Sequence, residues 1–161
     1  MDGHCTGPAA DEMIHRSITG MVEELQPNLW ERELRRSADF GHSFSPLIEM
    51  RALPELLHGE VVALDCVLSS FLAHHRDLLS TSDLIRVVRL VASLELPPQH
   101  PMFADPAMLA EALADTVRHR DGQQNLPLPN GIGKCVFVND VMPAELGAAS
   151  AAMSSYTDGL I

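Results

Sequence analysis

The residue types best suited to chemistry are two histidines at element boundaries. His42 lies in Asp39-Phe-Gly-His-Ser-Phe-Ser-Pro46, and His58 opens His58-Gly-Glu60 sixteen residues further on. Side chains at such boundaries can face a cleft. Two imidazoles could ligate a metal, but tight sites usually need three protein ligands, so spacing alone leaves both a metal centre and two ordinary boundary histidines open. His4, His15, His74, His75 and His100 read as surface or helix-face residues. Cys5, Cys66 and Cys135 are odd in number, far apart and without C-x-x-C spacing. They indicate neither a disulfide framework nor a zinc knuckle and read as reduced thiols, with Cys66 a small buried side chain in an apolar run.

The elements that must position these residues are mostly helical. Residues 9–25 read as a helix ended by Pro27, with Met13, Ser17, Met21 and Leu25 one turn apart and Ile14, Ile18 and Val22 on adjacent rows. Residues 28–40 suggest a short Arg-rich helix anchored by Leu29, Trp30 and Leu34. Residues 59–76 are apolar on nearly every side, the pattern of a helix buried inside a bundle. Ser80 and Asp83 have capping-box-like spacing before a helix that should run toward Pro97 and Pro98. Asp105 and Pro106 form a second start signal, followed by Leu109, Leu113 and Val117 and by Arg118 and Arg120 near the C-terminal end. β-branched and aromatic residues after the Asn130-Gly131 turn predict a short hairpin, and residues 143–156 return to Ala-rich helix. The expected fold is therefore mainly α with one short β-hairpin.

Composition narrows the function. With 161 residues, 46% of them apolar, the chain suits one globular domain over residues 1–161. The net charge is −11 and Lys134 is the sole lysine, so no basic stripe is available for nucleic acid. No apolar run approaches the roughly 20 residues that span a bilayer, and the first residues lack a basic region followed by an apolar one, which reads as a soluble cytoplasmic chain without a membrane role. The close glycine pair Gly131-Ile-Gly133 follows a turn and precedes a strand-like run, so it is no dinucleotide fingerprint, and Gly133-Lys134 is no P-loop.

The segment Arg35-Arg-Ser-Ala-Asp-Phe-Gly-His-Ser-Phe-Ser-Pro-Leu-Ile-Glu49, followed by Leu57-His-Gly-Glu-Val-Val-Ala-Leu-Asp65, resembles the C-terminal domain of sugar phosphate cyclases related to 3-dehydroquinate synthase. Within that group it is most similar to the 2-epi-5-epi-valiolone synthases, as is the stretch Asn130-Gly-Ile-Gly-Lys-Cys-Val-Phe-Val-Asn-Asp140. The resemblance covers nearly the whole chain from about Pro8. It implies that His42 and His58 are ligands of a catalytic zinc or cobalt ion, for which neutral imidazoles are suitable donors. It also implies that Arg35 and Asp39 bind substrate, Arg35 through a planar fork suited to phosphate or a polyol. Asp39 stands where dehydroquinate synthase carries asparagine, and Pro46 where it carries a second histidine, whose chemistry proline cannot perform. Asp121-Gly-Gln-Gln replaces its Asp-Lys-Lys pattern. These departures resemble the valiolone-type cyclases.

The reaction so implied is an NAD-assisted phosphate elimination and aldol cyclisation of sedoheptulose 7-phosphate, a carbon–oxygen lyase chemistry. The resemblance places NAD in an N-terminal half and a third, glutamate ligand outside this segment; Glu12, Glu23 and Glu24 read as ordinary solvated helix carboxylates. A chain of this kind is expected to be inactive alone and to need a separate N-terminal half. Two alternatives remain: a non-catalytic remnant or binding module, and dehydroquinate synthase-like activity. A domain that closes over a partner is expected to leave part of its cleft face uncovered, so the isolated chain is expected to self-associate, as in a homodimer, or to need a partner for solubility.

Overall fold

In the computed structural model, which describes residues 6–30 and 32–158, seven α-helices and one antiparallel hairpin succeed one another along the chain. This is the mainly α architecture expected; His4 and Cys5 lie outside the described residues. The described residues divide into two compact units, the first ending at Ala38 and the second beginning at Asp39.

The first unit is built on α1 (Pro8–Leu25), opened by a proline in its first turn and followed by a 3₁₀ turn over Gln26–Asn28 that contains Pro27. Among the described residues of its unit nothing covers the apolar rows of α1: Met13, Ile14, Ile18, Met21 and Val22 are all exposed. The helix expected within residues 28–40 does not form. Among the described residues there, only the 3₁₀ turns Gln26–Asn28 and Ser37–Asp39 occur, and Leu29 and Trp30 are 70% and 83% exposed, so neither is an anchor. Asn28 supplies the physical reason. Its side-chain amide donates to the Glu33 carbonyl (2.6 Å) and its Oδ1 accepts the Glu33 N–H (3.1 Å), closing a loop that competes with helical hydrogen bonds.

The second unit is organised around α3 (His58–His75), in which eleven residues are buried, among them Leu64, Leu68 and Leu72 with no exposure. At roughly 1.5–3 kcal/mol for each fully buried aliphatic side chain, this helix is the main source of the unit's cohesion. Against it pack α2 (Ser45–Ala52), α4 (Thr81–Ser93), α5 (Pro101–Ala104), α7 (Pro143–Asp158) and the strand β1 (Leu126–Pro129), while α6 (Pro106–His119) packs on α2 and α7. The predicted caps are in place. Ser80 Oγ accepts the Asp83 N–H (3.1 Å) and Asp105 accepts the Ala107 N–H (2.8 Å). α4 stops at Ser93, before the two prolines, because Leu94 leaves helical geometry and Glu95 takes φ +58°.

β1 pairs antiparallel with β2 (Cys135–Val138), Leu126 opposite Val138 and Pro129 opposite Cys135. The intervening loop is longer than an Asn-Gly turn alone, with both Gly131 (φ +74°) and Gly133 (φ +81°) in the left-handed region that suits glycine. Its tip is fastened by the Gly131 N–H, which donates to the Leu78 carbonyl (3.0 Å). No helix among the described residues is long and apolar enough to cross a membrane.

Two histidines differ from the surface reading. His74 is half-buried, its Nδ1 bonded to the Leu79 carbonyl (2.8 Å), and His100 is 11% exposed and caps α5 by accepting the Met102 N–H (3.3 Å). His100 meets an orphan N–H at the start of α5, and His74 meets a carbonyl of the loop between α3 and α4.

Arg76, at the end of α3, clamps the far side of the unit. Its guanidinium holds Glu145 of α7 (2.5 Å) and Asp140 after β2 (2.6 Å). These bonds lower the carboxyl pKa of Glu145 and of Asp140 below their ordinary range. A carboxylate whose pKa is lowered by folding adds stability above its unfolded pKa and loses it as pH falls toward the folded value. The urea midpoint should therefore drop as pH falls below about 4–5, and Arg76→Met should lower the midpoint at neutral pH and flatten that drop.

Candidate metal and substrate site

The segment from Gly41 to Ser45 is held to α3 by one buried carboxylate. Asp65 Oδ2 accepts the backbone N–H groups of Ser43 (2.8 Å), Phe44 (2.6 Å) and Ser45 (2.8 Å), and Oδ1 accepts the Ser69 hydroxyl (3.1 Å). These are the orphan donors at the start of α2, capped here by a residue from another helix. Burial raises the carboxyl pKa, against the lowering pull of the donors from Phe44, Ser45, Ser69 and Ser43. Three of the four partners are backbone N–H groups that converge on the single oxygen Oδ2.

Gly41 is required at its position twice over. Its φ is +87°, and a Cβ there would lie 2.7 Å from Cys66 Sγ and 2.9 Å from Val62 Cγ1. The Cys66 thiol is thereby a packing surface beneath the loop. Burial pushes its pKa up to about 12, which keeps it protonated and unreactive.

The loop delivers His42 to a position beside His58, with ring centres 5.7 Å apart and planes tilted by 50°. His58 is the first residue of α3, whose start is set by Glu60: its side chain reaches back to the Leu57 N–H (2.6 Å). On its Nδ1 side His58 meets Glu49 Oε2 at 2.8 Å. His42 Nδ1 is buried and has no hydrogen-bond partner among the described residues. Two imidazoles bound to one zinc ion at about 2.0–2.1 Å would have ring centres roughly 5–6 Å apart, so the spacing and the orphaned nitrogen fit a shared divalent ion. Among the described residues no group of three His, Cys, Asp or Glu is disposed around one metal position, so the pair is a partial donor set.

Asp39 and Arg120 border the same loop. The Asp39 carbonyl accepts the His42 N–H (2.9 Å), and its carboxylate lies 3.4 Å from Arg120 Nη2. Arg120 is 8% exposed and donates to the carbonyls of His42 (3.1 Å), Asn125 (2.8 Å) and Gln124 (3.1 Å). The arginine that sequence spacing assigned to a helix end is thus a buried tie between α6, the hairpin and the His42 loop. Arg35 belongs to the first unit, where it is exposed and its backbone N–H donates to Glu33 (3.3 Å). Glu12, Glu23 and Glu24 are exposed on α1 of that unit. Pro46 opens α2, where its missing N–H costs nothing.

Sequence reasoning named His42, His58, Asp39 and Arg35 but not Asp65, Glu49, Glu60 or Arg120 as parts of the site. Asp65 carried one signal, a lone acid in an apolar run, which has to be paired if it is buried. Glu60 stands at the third helical position, but Leu57 replaces the Ser or Thr of the usual capping signature.

Residues 4–119 match the family model for the 3-dehydroquinate synthase C-terminal domain, and the chain belongs to that family. A 2-epi-5-epi-valiolone synthase of Streptomyces hygroscopicus subsp. jinggangensis is 59% identical over 144 residues, 89% of this chain and 34% of that protein. A second, from Streptomyces albus, is 57% identical over 88% of this chain and 34% of its own length. A solved 2-epi-5-epi-valiolone synthase structure from the S. hygroscopicus strain, with NAD⁺ and Zn²⁺ bound, superposes with a TM-score of 0.88 at 55% identity, covering 92% of this chain and 41% of that one. The chain spans about a third of the length of the curated relatives it matches.

Removing the Asp65 carboxylate leaves three backbone donors unmatched. Asp65→Ala should cost on the order of 3 kcal/mol or more in urea unfolding, and the 5.7 Å approach of His42 to His58 should be lost in its crystal structure. Gly41→Ala should destabilise by strain even with Asp65 intact.

Proposed function

We propose that this chain is the metal- and substrate-side part of a sedoheptulose 7-phosphate cyclase of the 2-epi-5-epi-valiolone synthase type. The observation that carries the reading is the approach of His42 to His58, built from the two motifs that the family resemblance singles out. The identity of 59% to a valiolone synthase favours that substrate over the dehydroquinate one, as do Asp39 and Pro46 at the positions where the two groups differ.

His42 and His58 would hold a zinc or cobalt ion, which supplies Lewis-acid polarisation of a substrate oxygen when bound. The remaining steps belong to the chain's own residues. Asp39, fixed by Arg120, presents a carboxylate to the polyol and accepts hydroxyl protons in hydrogen bonds. Arg35 contributes a fork of N–H donors to the phosphate or to a hydroxyl pair. The Asp65-capped loop keeps His42 from drifting, so that the donors are aimed before substrate arrives. NAD would be bound by a separate N-terminal half, and the closed site between the halves would exclude water during elimination and ring closure.

Co-expression with the N-terminal part of a valiolone synthase should give NAD-dependent phosphate release from sedoheptulose 7-phosphate, reduced at least a hundredfold by His42→Ala or His58→Ala. No turnover in any pairing, with both parts folded and metal supplied, would favour a non-catalytic binding module instead.

A further inference from the structure

We propose that Glu49 is a positioning residue for His58, holding the imidazole in the tautomer that carries its proton on Nδ1 and leaves the Nε2 lone pair for a divalent ion. This rests on the metal reading above for the identity of the ligand, and on the geometry of α2 and α3 for the role. Glu49 Oε2 lies 2.8 Å from His58 Nδ1. A carboxylate can only accept, so the imidazole nitrogen facing it must be the donor, and in a neutral ring the other nitrogen then has a free lone pair. Nε2 lies on the opposite edge of the ring from Glu49. The carboxylate therefore sits behind His58, and it does not complete a three-residue metal group.

Glu49 is well placed for this work because its helix is held at both ends. Asp65 caps the start of α2, and Arg51, two residues beyond Glu49, is paired through both Nη atoms with Glu111 of α6. The Glu49 side chain is 27% exposed against 62% for His58, so the more sheltered partner directs the more exposed one. Ligating histidines in proteins characteristically donate their second nitrogen to a carboxylate or carbonyl, which fixes ring orientation and raises basicity. The contact joins α2 to the first residue of α3, so the packing of these two helices sets the orientation of the ring.

The test reads the tautomer directly. At pH 8, long-range ¹H–¹⁵N spectra of the metal-free full chain should show His58 protonated on Nδ1. Glu49→Ala should return the ring toward the Nε2–H form that free imidazole side chains prefer. Glu49→Gln, whose carbonyl still accepts, should preserve the wild-type form. Zinc titrated into the same samples should shift His58 Nε2, with the alanine variant binding about 10- to 100-fold more weakly and the glutamine variant close to wild type. His58 protonated on Nε2 in the wild type, or equal zinc affinity in wild type and Glu49→Ala, would overturn the proposal and leave the metal reading standing. Zinc that perturbs neither His42 nor His58 in the wild type would overturn the metal reading, and with it the service to an ion assigned to Glu49.

Discussion

Everything about the candidate site depends on where the Asp65 carboxylate comes to rest. It is wholly buried in the middle of α3, and it takes three backbone N–H groups from the segment that precedes and opens α2. A buried carboxyl in that position would be costly if left alone, and each buried donor left unpaired by its loss costs about 1–3 kcal/mol. The loop cannot leave α3 without exposing that cost. The interaction thus converts the stability of the most buried helix into a fixed address for His42.

The other ties act on the same short segment from different directions. Gly41 lets the backbone approach Cys66 and Val62 more closely than any residue with a Cβ would permit. Arg120 holds the His42 carbonyl from the end of α6, and the Thr116 hydroxyl donates to the Ser43 carbonyl from the same helix. Glu60 fixes the first turn of α3, and hence the root of His58. The two imidazoles are presented by a loop and a helix start that these bonds tie to the core, which is the arrangement preorganised chemistry requires. The first unit presents a contrast. α1 carries apolar rows that its own unit leaves in water, and the curated relatives that match the chain are about three times as long.

What was legible in the sequence follows from physical locality. The α3 helix was visible because burial on all sides needs apolar residues on all sides, and α4 and α6 because Ser80 and Asp105 cap helices through contacts a few residues long. The hairpin was visible from β-branched residues beyond a turn. The helix expected among residues 28–40 failed because Asn28 satisfies Glu33 through its side chain, a local competition that the apolar anchors Leu29 and Trp30 do not reveal. α2 was illegible for the opposite reason: its eight residues are too few to show a period, and its cap lies twenty residues away in Asp65.

The sequence by itself determined the residue types, the two histidine motifs and the mostly helical class, since those depend on composition and short-range pattern. Only the tertiary structure decided that His42 and His58 stand ring to ring, that Glu49 lies behind His58, and that Arg120, at the end of α6 as expected, is a buried tie to the His42 loop. These are through-space relations between segments distant in the chain. They are set by which buried donors and acceptors must find one another once α3 is enclosed, and one-dimensional spacing carries no record of that pairing.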